Sequence, residues 1–161
     1  MIPKDCISKT GKHIDETGQY IGTCAQASIA YIIGHSIAEV LSIWKYKHHL
    51  KFENWSNWRD IRKYLENEGY TVKYRKVSFC PLNAFVPHTL IARVQWIGEG
   101  TNKDKPFYGY PHWSEATRNT HFIAIQQGYF FCNTEGEKPI KDLAFYLLEG
   151  DGVITSLMEI L

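Results

Sequence analysis

Paired cysteines are missing from this chain. Cys6, Cys24, Cys80 and Cys132 are its four cysteines, and none forms a C-x-x-C spacing, which excludes zinc-ribbon and thioredoxin-type motifs. Four thiols in 161 residues are also too few for a disulfide-dense scaffold. An excess of one charge is missing too. With 18 basic and 17 acidic residues the formal net charge is +1, so no electrostatic case exists for nucleic acid or an anionic membrane as the main partner. The basic clusters "WKYKHHLK" and "KYRKV" read as solvated faces. The opening "MIPKDCISKTGK" lacks the apolar run of a signal peptide, and no stretch is long and apolar enough to span a bilayer. The expectation is a cytoplasmic protein with reduced thiols, no membrane insertion and no nucleic-acid partner, although export without a signal is compatible with the same residues. Oligomeric state leaves no trace. No repeat, low-complexity tract or linker is present, so residues 1–161 are expected to form one domain.

What is present suits a packed core: 44% hydrophobic residues and 14% aromatics, five of them Trp. The first dozen residues read as a polar arm. From Thr23, a candidate N-cap, Ala25, Ile29, Ile32 and Ile33 recur at helical spacing until Gly34. Ser36 caps a second predicted helix with Ile37, Val40, Leu41 and Trp44 on its stripe. "WSNWRDIRKYLENEGY" is a third, its face formed by Trp58, Ile61 and Leu65 and its stop by Gly69. Strand patterns follow in "YTVKYRKV", "TLIARVQWI" and "HFIAIQQGYFFCNT", the last turning at Gln127–Gly128. "KPIKDLAFYLLEG" has helical spacing, whereas the tail "GVITSLMEIL" suits a strand or a helix. The predicted class is α+β, helices first and an antiparallel sheet after them.

The chemistry centres on Cys24. A cysteine at the first turn of an apolar helix meets unpaired N–H groups and the positive end of the helix dipole, which stabilise a thiolate. His121 opens the strand "HFIAI" beside the long 98–120 loop and is the candidate proton-transfer partner. Asn133, at the end of the returning strand, is the candidate group to hold the imidazole, and Asp142 is a rival for that role. Gln19 is a candidate oxyanion donor beside the Cys24 backbone N–H. His112 and Trp113 line a substrate groove or form a local aromatic cluster; both readings stay open. His48 and His49, at a helix end, read as structural, and Asp15 as a solvated turn residue. No histidine or cysteine spacing supports a metal site, and no cofactor is expected.

The order Gln19, Cys24, His121, Asn133 resembles the papain-like cysteine peptidase superfamily. Within it, "WRDIRKYLENEGY" ahead of the sheet and the His strand "HFIAIQQGYFFCNT" are similar to the compact branch of bacteriocin-leader (double-glycine) peptidases. The similarity spans residues 17 to 148. It implies a papain-like fold with the nucleophile at a helix start, packed on a C-terminal antiparallel sheet. It further implies Cys24 as nucleophile, His121 as general base and acid, Asn133 as orienting residue and Gln19 as oxyanion donor. Gln19 departs from the pattern, standing one residue nearer the cysteine than is usual in the family. The activity implied is cleavage of a peptide or isopeptide bond through an acyl-enzyme, with a peptide or protein as substrate. Acyl transfer of transglutaminase type uses the same constellation. A non-catalytic binding protein on the same fold, anchored by Trp55, Tyr108, Tyr110 and Trp113, is the alternative of a different class.

Overall fold

A computed structural model of the chain describes residues 12–14, 20–52, 57–77, 88–96, 120–149 and 152–161. Two short strands, β1 (Lys12–Ile14) and β2 (Tyr20–Gly22), pair antiparallel ahead of α1 (Cys24–Ile33). Helix α1 is built to lie close to the sheet, because its buried residues include Ala25, Ala27, Ser28 and Ala30, whose small side chains permit near approach. It ends where Gly34 takes φ +73°, a left-handed conformation that costs glycine little, and the Gly34 and His35 N–H groups both bond the Ala30 carbonyl. The sequence predicts a hydroxyl cap from Thr23. The structure has none: the Thr23 side chain makes no capping bond, although its carbonyl accepts from the Ala27 N–H at 2.8 Å.

Ser36 does cap the next helix, α2 (Ile37–Ser42), its Oγ accepting from the Glu39 N–H at 3.1 Å. The predicted single helix widens after Ser42 into a π turn, Ile43–Lys47, closed by the His48 N–H to the Ile43 carbonyl. Trp44 in that turn is fully buried, with its indole N–H donated to the Lys51 carbonyl at 3.1 Å. Helix α3 (Trp58–Asn67) is capped by Asn57, which accepts from the Asp60 N–H, and buries Ile61, Tyr64 and Leu65. No single helix among the described residues is long and apolar enough to cross a membrane.

The main sheet has six antiparallel strands: β3 (Val72–Lys76), β4 (Leu90–Trp96), β5 (Thr120–Gln126), β6 (Tyr129–Cys132), β7 (Gly136–Pro139) and β8 (Gly152–Ile160). Their order is β3-β8-β4-β5-β6-β7. The open reading of the tail is resolved as a strand. It is the last in sequence yet lies inside the sheet, paired with β3 on one side and β4 on the other. Strand β3, at the edge, buries Val72 and leaves Tyr74 exposed, so the predicted alternation reaches the core at a single residue.

Period-two alternation divides the sheet between two cores. Ile91, Phe122, Ala124, Phe131 and Met158 face the layer of α1, α2 and α3. Leu90, Ala92, Val94, Ile123, Ile125, Phe130 and Cys132 face the opposite way, under Leu143 and Tyr146 of α4 (Leu143–Glu149). The architecture is α+β, with N-terminal helices packed on one face of an antiparallel sheet and a short C-terminal helix on the other.

Candidate functional site

Cys24 is the first residue of α1 and is partly exposed, while the residues from Ala25 to Ala30 behind it are buried. A capping side chain normally accepts an N–H of the helix's first turn. Thr23 does not; the backbone at Ala25 and at Phe122 of β5 favours the ionised form of the Cys24 sulfur at this helix start.

His121 is the second residue of β5 and bonds Cys24 through its side chain. Burial works against ionisation of Cys24. The hydrogen bond and positive charge of His121 oppose that, with help from the backbone at Ala25 and Phe122, and bring the thiol below its ordinary value.

Contrary to the sequence expectation, no hydrogen bond joins His121 to Asn133. Cys132 takes that place, its sulfur 3.1 Å from His121 Nε2. The reason is parity. The hairpin pairs Gln126 with Tyr129, Ile125 with Phe130 and Ala124 with Phe131, so Ile123 comes opposite Cys132. Side chains alternate, so His121, Ile123 and Cys132 share the α4 face, and Asn133 follows in the turn beyond β6. Asn133 is 1% exposed, and neither its Oδ1 nor its Nδ2 has a hydrogen-bond partner among the described residues. Asp142 lies in a single 3-10 turn ahead of α4, and it is Tyr146, in α4 itself, that reaches the site.

Cys132 is 1% exposed and has two further polar neighbours. The Tyr146 hydroxyl donates to its sulfur at 3.2 Å, and Thr134 Oγ1 lies 3.1 Å away. Burial raises the thiol, but the bond and charge of His121, with Thr134 and Tyr146, outweigh it and bring Cys132 down to about 6. Burial likewise pushes His121 down, yet its bonds to Cys132 and Cys24 and their negative charge raise it to about 10. The Tyr146 phenol is pushed above its usual range by burial and by the Cys132 charge. Both sulfurs lie against the one imidazole of His121, so the ionisation of each group depends on the others.

Gln19, His112 and Trp113 lie outside the described residues, as do Asp15, Cys6, Cys80, Trp55, Tyr108, Tyr110 and the 98–119 part of the long loop. His48 packs edge-on against Tyr64 and faces Glu68, consistent with a structural part. Among the described residues no group of three His, Cys, Asp or Glu side chains is placed to hold a metal ion. Sequence reasoning missed Cys132, Thr134 and Tyr146. For Cys132 a signal was present, since a two-residue turn at Gln127–Gly128 already sets which residues of the returning strand share the His121 face. No family model matches the chain, and no curated protein matches its sequence.

Proposed function

We propose that the chain is a thiol hydrolase of papain-like type, acting on a peptide or isopeptide bond. The observation that carries this reading is the pairing of Cys24, at the start of a buried helix, with the imidazole of His121. A thiolate and an imidazolium in contact are the two parts that acyl transfer needs, a nucleophile and a proton donor for the leaving group. The Cys24 thiolate attacks the carbonyl carbon, a C–S bond forms, and the carbonyl electron pair moves onto oxygen. His121 gives its proton to the departing amine as the C–N bond breaks. Water then attacks the thioester while His121 takes its proton, and Cys24 leaves as a thiolate with release of the acid. The helix start supplies backbone N–H groups that lack an intrahelical acceptor, the usual resting place for an oxyanion. The resemblance of "WRDIRKYLENEGY" and "HFIAIQQGYFFCNT" to the bacteriocin-leader peptidase branch supports the same chemistry, as does the α+β layout.

The test uses p-nitrophenyl acetate as a simple acyl donor, with mass spectrometry after acid quench. An acetyl group found on Cys24 and absent in Cys24→Ala is the expected result. Acetylation no greater on Cys24 than on the other cysteines and surface lysines, with labelling of those others unchanged in Cys24→Ala, overturns the reading and favours a binding protein.

A further inference from the structure

We propose that Cys132, as a thiolate, is the positioning residue for His121, held in place by Thr134 and Tyr146 and filling the role that sequence reasoning assigned to Asn133. The inference rests on the hydrolase reading.

Geometry carries it. Three polar atoms surround one buried sulfur: His121 Nε2 at 3.1 Å, Thr134 Oγ1 at 3.1 Å and the Tyr146 hydroxyl at 3.2 Å. A neutral thiol is a weak donor and a weak acceptor with one proton to give. An anionic sulfur takes three donated protons, and burial leaves it no water to take them from. The three groups come from three places in the fold, β5, the turn after β6, and α4, and converge on this one atom; the Tyr146 hydroxyl donates to it, and a thiolate would accept from the other two as well. Tyr146 is itself 6% exposed and donates inward to sulfur.

The arrangement also settles the work of the imidazole. A ring N–H committed to Cys132 through Nε2 leaves Nδ1 as the nitrogen that exchanges a proton with Cys24. The negative charge behind the ring favours the imidazolium, the form that protonates a leaving amine. Asn133 carries no charge, and neither of its side-chain polar atoms has a hydrogen-bond partner among the described residues. Cys132 is a spectator to bond making; it acts through His121.

The experiment starts in the Cys24→Ala background, so that it does not depend on any hydrolase activity. Thiolate absorbance in the far ultraviolet is followed against pH, and C24A is compared with C24A/C132S to subtract the remaining thiols. The expected difference is one thiolate appearing at about pH 6. Nitrogen-15 NMR of His121 at neutral to mildly alkaline pH is expected to show a doubly protonated ring in C24A and in C24A/C132D, and a singly protonated one in C24A/C132S. Should C132S fail to fold, C24A/H121Q serves, with the Cys132 step moving up to about 8.5. Superimposable titrations of C24A and C24A/C132S through mildly acidic and neutral pH overturn the proposal, as does a His121 ring state indifferent to residue 132.

With Cys24 present, C132S is expected to slow p-nitrophenyl acetate turnover by at least about tenfold, a fraction of what acid–base catalysis contributes. C132D is expected to restore it. Turnover equal in wild type and C132S overturns the positioning role. Loss of selective Cys24 acetylation in wild type defeats the hydrolase reading instead, and leaves the C24A titration to stand or fall separately.

Discussion

Replacing Tyr146 with Phe removes one oxygen and little else. The ring stays packed against Phe130, whose centroid is 5.1 Å away, so no cavity forms. What is lost is the donation at 3.2 Å to the Cys132 sulfur. A hydrogen bond to a charged acceptor is worth roughly 1.5–3 kcal/mol, against roughly 0.5–1.5 kcal/mol for a neutral one. One pKa unit corresponds to about 1.36 kcal/mol. If Cys132 is a thiolate, Tyr146→Phe removes about 1 to 1.5 kcal/mol more from the ionised form than from the neutral one, which raises its titration by about one unit from its value of about 6. The sign for stability follows from the same fact. A thiol whose folded-state value is depressed contributes stability that is present above its ordinary range and lost as pH falls through about 6. Tyr146→Phe should therefore cost more at mildly alkaline pH than in mild acid, by about 1 kcal/mol. Urea unfolding of both proteins on either side of that step measures it, and the thiolate absorbance of C24A/Y146F locates the shifted step. An equal loss at both pH values, with the thiolate step unmoved, refutes the reasoning and makes Cys132 a neutral thiol.

His121 has the opposite sign: raised to about 10, it contributes stability that is full below its ordinary value of about 6.5 and lost as pH rises through its folded value. Together with Cys132, this makes the gap in denaturant midpoint between wild type and His121→Gln widest between about pH 6 and about 10; a gap constant across pH would rule out the ion pair. Gly128 sits at φ +81° with open space where a Cβ would go, so Gly128→Ala should cost about 1–2 kcal/mol for conformation alone, seen as a lower thermal midpoint; no change would mean the hairpin turn is not held in this form. Asn133→Ala removes a buried amide without a partner among the described residues and should cost less than about 1 kcal/mol, with the Cys24 alkylation rate within about twofold of wild type. A tenfold slower rate would return Asn133 to the site.

The helices were legible because their apolar positions follow one face and their ends are marked by Ser36, Gly34 and Gly69. The hairpin was legible because Gln127 and Gly128 both take positive φ, as a tight two-residue turn requires. Strand β8 was not, and for a physical reason. It lies between two strands and buries Leu157 on one face and Met158 on the other, so its apolar residues run together and the alternation of a half-buried strand is lost. The π turn at Ile43–Lys47 has no sequence signature of its own; Trp44 keeps the helical stripe while the backbone widens around it. At the site, the pairing of Cys24 with His121 followed from a helix start and a strand start. For the group behind the imidazole, residue type favours the amide of Asn133, whereas strand parity brings Cys132 to the His121 face, 3.1 Å from Nε2.

The central claim is that His121 holds Cys24 as a thiolate near neutral pH. The most direct test is the pH dependence of iodoacetamide labelling at Cys24, resolved by mass spectrometry, in wild type and His121→Ala. In wild type the labelling midpoint should lie below that of an ordinary thiol, and in His121→Ala it should rise to about 8.5 or above. Coincident profiles for the two proteins, with Cys24 labelled no faster than the other cysteines, would contradict it.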